Sequence, residues 1–176
     1  MAQDTIKCYD GPSEVVTALA EDFIAFTNEE ISRTETCVVG ITGGTVINGL
    51  LEVLNSSEYI ERVNWERIFF IWTDERFLPQ SHEDNYFSRV KPYLLCKAKG
   101  AAHFLPINTN SKTVIEAAEE YEKEVGTVLK ACKKSGLDLA ILDLGEDGHT
   151  AGLFAGSHAL RVADRNVVPV EDGKVW

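Results

Sequence analysis

Three short runs limit what this chain can fold into: Cys37 to Ile41 (CVVGI), Ile68 to Trp72 (IFFIW) and Leu137 to Leu142 (LDLAIL). The first two are continuously apolar rather than alternating, as strands are when both of their faces are covered. Between them lie stretches with helical periodicity. Pro12 to Thr27 carries Val15, Val16, Leu19, Phe23, Ile24 and Thr27 on one face, with Pro12 suited to the first turn and Asp10 or Gly11 to the cap. Val46 to Leu54 places Ile47, Leu50, Leu51 and Leu54 together, and a helix is expected from Tyr86, capped by Asp84 or Asn85 and kinked or shortened by Pro92. Ser111 to Lys134 carries a stripe of Val114, Ala118, Tyr121, Val125, Val128 and Cys132 opposite a charged face. His103 to Ile107 reads as a weaker edge strand because of Pro106, and Val167 to Val170 as the start of another strand.

Strands alternating with helices predict an α/β fold, with a parallel sheet, right-handed crossovers and helices on both faces in three Rossmann-like layers. With 176 residues, 44% of them hydrophobic, the chain is expected to form a single domain over 1–176. Its net charge of −11 and lack of a basic run argue against a nucleic-acid binder. No run reaches the roughly 18 apolar residues of a membrane span, and the start of the chain has no basic-then-apolar leader, so a cytoplasmic protein without membrane contact is expected. Cys8, Cys37, Cys96 and Cys132 lack metal-ligand or CxxC spacing and read as reduced thiols. His82, His103 and His158 show no ligand spacing either, and no metal site is expected.

In such a sheet the ligand sits beyond the carboxyl ends of the strands. Three candidate loops follow strands there. Thr42, Gly43, Gly44 and Thr45 form either a phosphate cradle, with free N–H groups of the next helix aimed at the anion, or simply a tight strand-to-helix turn. Asp74, Glu75 and Arg76 are either a solvated strand end or a site. In a site, Arg76 holds a phosphate or carboxylate through two hydrogen bonds, and Asp74 orders the site or acts as a base. The third loop, GEDGH, ends in His149, a side chain able to take and return a proton near neutral pH, with Asp147 placed to orient it.

In family order, Thr42-Gly43-Gly44-Thr45, the WTDERFLP segment at Trp72 to Pro79 with Asn85-Tyr86, and GEDGHTAGLF at Gly145 to Phe154 resemble the motifs of the 6-phosphogluconolactonases. These belong to a wider group with the glucosamine-6-phosphate deaminases. The resemblance covers about Val38 to Leu160. It implies hydrolysis of 6-phospho-D-glucono-1,5-lactone to 6-phospho-D-gluconate, the second step of the oxidative pentose phosphate pathway, without metal or organic cofactor. The implied roles are His149 as base and then acid, Asp147 and Asp74 beside it, and Thr42, Gly43, Gly44, Thr45, Arg76 and Asn85 toward the sugar phosphate. Lys174 would correspond to a phosphate-binding lysine of an SPKPP-like segment. Backbone N–H groups of a helix after Gly148 are expected to stabilise the oxyanion.

Some positions depart from the family pattern. Val46 and Ile47 replace a Thr-Pro pair, Asp143 stands where glycine is common, and Gly152 and Ala155 replace Ser and Pro. Family members continue with further strands and a helix, so the resemblance implies a domain incomplete at its C-terminal side, fused to or cooperating with the glucose-6-phosphate dehydrogenase that makes the lactone. Two rivals stand beside this reading. A deaminase would carry DEY in place of Asp74-Glu75-Arg76 and a glutamate within the run that here reads Ala151-Gly152-Leu153-Phe154. A non-catalytic sugar-phosphate-binding module would bind without turnover.

Overall fold

The computed structural model describes residues 5–96 and 103–170. Lys174 lies outside the described residues. Four parallel strands, β1 (Cys37–Ile41), β2 (Ile68–Trp72), β3 (His103–Leu105) and β4 (Leu139–Ile141), form one sheet in the order β3-β2-β1-β4. The helices are α1 (Pro12–Thr34), α2 (Thr45–Leu54), α3 (Tyr86–Cys96) and α4 (Val114–Ala131). The expected α/β architecture is therefore present.

The two central strands lie where the apolar runs place them. All five residues of β1 are buried, and the register Ile41↔Trp72 brings the carboxyl ends of β1 and β2 level. Alternate residues serve opposite faces. Phe70 of β2 stacks on Phe23 of α1, and Trp72 meets Phe87 of α3 edge-on. On the other face Ile71 and residues of α4, among them Ala118, Val125 and Leu129, line a cavity of about 480 Å³ that extends to Asp74 and Gly152. Tyr121 of α4 closes the carboxyl end of β2: its hydroxyl accepts from Trp72 N at 2.8 Å and lies 2.8 Å from Leu105 O.

Several expected elements differ. α1 runs seven residues past Thr27, to Thr34, although its last two turns carry little apolar patterning. What holds them is an ion cluster: Lys134 contacts Glu30 at 2.5 Å and Asp138 at 2.8 Å, and Asp138 also accepts from Val38 N. The long helix begins later than expected, because Thr113 caps α4 by accepting from Glu116 N, and it stops at Ala131. β4 is shorter than the Leu137 to Leu142 run. Val167 to Val170 is not a strand; the Asn166 and Val167 N–H groups bond to the Glu122 carboxylate instead of to a neighbouring strand. No helix opens directly after Gly148; the first helical turn beyond it is a short 3-10 segment at His158–Arg161. The chain there makes two antiparallel bridges, Leu144↔Thr150 and Thr150↔Leu153, with positive φ at Gly148 (84°) and Ala151 (48°) that a continuing helix would not allow.

Candidate active site

The strand order reverses direction at β1, since β1 is followed by β2 and β3 on one side and by β4 on the other. A switch of this kind opens a crevice beyond the carboxyl ends of the two strands flanking it. The loop after β1 carries Thr42 to Thr45, and the chain after β4 carries Asp143 to His149. The segment after β2 supplies Asp74 alongside.

Thr42 is buried, and its hydroxyl donates to Asp74 Oδ1 at 2.5 Å, which joins the first two loops. Burial raises the Asp74 carboxyl above the usual carboxylate range; the Thr42 hydrogen bond opposes that shift, and the nearby Asp143 carboxylate adds to it. The His149 imidazole lies within electrostatic reach of Asp74 as well. Gly44 caps α2 with no side-chain hydrogen bond, and the first turn of α2 has no acidic residue. The first N–H groups of a helix have no partner within it, so this end suits an anion. Thr45 is exposed there.

The His149 turn is built tightly. His149 Nδ1 makes a short hydrogen bond to Asp147 Oδ1, and the same carboxylate accepts from His149 N at 3.2 Å. The imidazole holds the Asp147 carboxyl below its ordinary value. Phe154 stacks on the imidazole with ring centroids 4.6 Å apart. Gly145 underlies the ring: a Cβ there would fall 2.3 Å from His149 Nδ1. With Nδ1 engaged by Asp147, Nε2 is the ring nitrogen left to exchange a proton with an outside partner.

Arg76 sits farther along the second loop. Its guanidinium lies 5.1 Å from the Tyr86 ring centre and 3.2 Å from Asp84 Oδ1, while Arg89 holds the same carboxylate at 3.0 Å. Asn85 has no exposed surface. Its Oδ1 accepts from Ser88 N, capping α3, and its Nδ2 donates to Leu78 O, so both ends of the side-chain amide are spent on α3 and the loop before it. Among the described residues no group of three or more His, Cys, Asp or Glu side chains is arranged to hold a metal ion.

Residues 10–175 match the model of the family described as glucosamine-6-phosphate isomerases/6-phosphogluconolactonase. The chain belongs to this family. A probable 6-phosphogluconolactonase 1 of Oryza sativa subsp. japonica is 29% identical over 181 residues, an alignment covering 97% of this chain and 60% of the relative. The chloroplastic 6-phosphogluconolactonase 3 of Arabidopsis thaliana is 26% identical, with 95% of this chain and 54% of that protein covered. Of solved structures, the 6-phosphogluconolactonase of Trypanosoma brucei aligns with a TM-score of 0.79 at 23% identity over 94% of this chain and 69% of that one. The Thermotoga maritima enzyme aligns at 0.67 and 26%, over 80% and 60%. The chain thus spans little more than half the length of the curated relatives it matches.

Within this family fold, sequence reasoning passed over two residues that shape the crevice. Glu75 lies between the two residues singled out in its segment, yet its carboxylate accepts from three backbone N–H groups, those of Arg76, Tyr86 and Phe87, all within 2.9 Å. It fastens the second loop to the start of α3, and burial raises its pKa despite those bonds. Tyr86 packs its ring on Gly43. An aromatic directly after a helix-capping asparagine was the available signal for Tyr86; for Glu75 it was an acidic residue eleven positions before a helix start, too remote to read.

Proposed function

We propose that the chain hydrolyses 6-phospho-D-glucono-1,5-lactone to 6-phospho-D-gluconate, as the family resemblance implies. The observation that carries the proposal is the Asp147–His149 pair, held on a glycine-built turn at the switch point of the sheet, beside the Thr42 to Thr45 loop. In this reading Asp147 fixes the tautomer with Nδ1 protonated, and His149 Nε2 takes a proton from water as the water attacks the ring carbonyl. The imidazolium then returns that proton to the departing ring oxygen, which opens the lactone to the acid. Such acid–base assistance supplies about 100- to 10,000-fold. Asp74, with its raised pKa and its Thr42 partner, orders substrate hydroxyls. The Gly43-Gly44 loop, the start of α2 and Arg76 take the phosphate, joined by Lys174, and Asn85 supports them through α3.

The run at Ala151 to Phe154 has no carboxylate to match the glutamate of the deaminases, which favours lactone hydrolysis over deamination. Among the described residues no helix is long and apolar enough to cross a membrane. A cytoplasmic site of action, a single domain over 1–176, and cooperation with the dehydrogenase that forms the lactone belong to the same proposal. The test is formation of 6-phosphogluconate from freshly generated lactone, corrected for spontaneous hydrolysis. Wild type should exceed His149→Ala by 100-fold or more in kcat; equal rates would remove the mechanism, and ammonia release from glucosamine 6-phosphate would redirect it to the deaminases.

A further inference from the structure

Asp143 follows β4 on the side of the switch point facing the glycine loop, and its side chain rests on that loop. A Cβ built on Gly44 would lie 2.0 Å from Asp143 Oδ2, so the carboxylate is packed against the loop backbone itself. Gly44 has φ 150°, a conformation that only glycine adopts readily, and it is the cap of α2. The backbone of Asp143 is pinned as well: its carbonyl accepts from Thr150 Oγ1 at 2.9 Å, next to His149. The carboxylate is therefore part of the crevice wall.

It brings charge without a compensating bond. Asp143 Oδ1 is buried with no hydrogen-bond partner. The charged group facing it is another carboxylate, Asp74 from the segment after β2. Arg76, the cation of the second loop, is paired with Asp84. A phosphate seated on the N–H groups of Gly44, Thr45 and Val46 would add a second anion directly beside this one.

We propose that Asp143 is a specificity-determining residue of the glycine loop: its carboxylate sits against Gly44 and opposes a phosphate monoester there, so that neutralising it tightens anion binding. This rests on reading the loop as the phosphate-holding element. Unit charges a few ångströms apart in partly buried surroundings interact strongly enough that removing one changes affinity by roughly tenfold or more. Burial raises the Asp143 carboxyl above the usual range, the direction expected of an acid lacking partners.

The experiment titrates sulfate into 15N-labelled wild type, Asp143→Asn and Glu146→Gln at one fixed pH and ionic strength, following the amide signals of Gly44, Thr45 and Val46. Sulfate keeps its charge throughout, and Glu146, an exposed carboxylate of the same turn, controls for net charge. The loop amides of Asp143→Asn should reach half-saturation at about one tenth of the sulfate that wild type and Glu146→Gln require. In parallel, KM for the phosphorylated lactone should fall by a similar factor in Asp143→Asn, with KM for unphosphorylated gluconolactone unchanged. A shared sulfate midpoint in wild type and Asp143→Asn, or loop amides indifferent to sulfate in both, overturns the proposal even if wild type hydrolyses the lactone. Tighter sulfate binding by Asp143→Asn in a protein without lactone turnover would uphold it while removing the proposed activity.

Discussion

The ring of Tyr86 lies against the α-carbon of Gly43: a Cβ on that glycine would fall 1.9 Å from Tyr86 Cγ. One contact thereby sets the loop after β1 against the first residue of α3, and Arg76 stacks over the same ring. Gly43→Ala should force the ring or the loop to move, destabilising by about 1–3 kcal/mol as other overpacked sites do. It should also lower kcat/KM for the lactone. Removing the ring relieves the clash, so Gly43→Ala in a Tyr86→Ala background should cost far less than in wild type. Urea unfolding of the four-protein cycle checks this; strictly additive effects would show that the contact does not constrain the loop.

His149 and Asp147 should behave as a coupled pair. His149→Ala is expected to lower kcat by 100-fold or more. Asp147→Asn keeps the shape of the turn but replaces the carboxylate that accepts the Nδ1 proton, and it should cost on the order of tenfold. In the double variant Asp147→Asn should add little to the loss, because no imidazole remains to be oriented. Steady-state kinetics on purified variants decides this, and full multiplicative loss in the double variant would separate Asp147 from His149.

How much of this was readable from the chain depends on where each residue finds its partner. Cys37–Ile41 and Ile68–Trp72 were legible to the residue because a strand buried on both faces shows itself in its own composition. The last turns of α1 were not, since Glu30 is held by Lys134, 104 residues away, and nothing local marks it as a buried carboxylate. The motif residues Thr42, Asp74 and His149 were visible as loop chemistry, and the switch in strand order brings their loops together. The expected helix after Gly148 failed for a local reason. Small residues permit a helix, but the turn is stitched by Gly145 N to His149 O and by Leu153 N to Thr150 O, which fold the chain back on itself.

Arg76 provides a test of phosphate recognition. Arg76→Ala should raise KM for the phosphorylated lactone by about tenfold or more, the value of a lost charge-assisted contact, and leave KM for unphosphorylated gluconolactone near wild type. Asp84→Asn should act in the opposite direction, because it releases the guanidinium from a competing carboxylate 3.2 Å away. Comparing KM for the two lactones in each variant reads out the charge at this position. An unchanged preference for the phosphorylated substrate in Arg76→Ala would take Arg76 out of the site.

At the opposite end of the sheet from the crevice, Lys134 should govern acid stability. Hydrogen bonds from Lys134 and then from Arg33 hold the Glu30 carboxyl at about 2 against an ordinary 4.5. The folded chain therefore binds fewer protons at Glu30 than the unfolded chain between those values. The stabilisation is complete above about 4.5 and is lost as the pH falls toward about 2. Lys134→Met removes the ammonium and leaves Glu30 and Asp138 buried without their shared partner, which should cost about 3–5 kcal/mol at pH 7. At pH 3 the variant can protonate its carboxyls, as wild type does only at lower pH, so the gap between the two proteins should narrow. Urea unfolding at both pH values measures it, and a gap that stays constant would mean that Lys134 stabilises the chain by packing rather than through its charge.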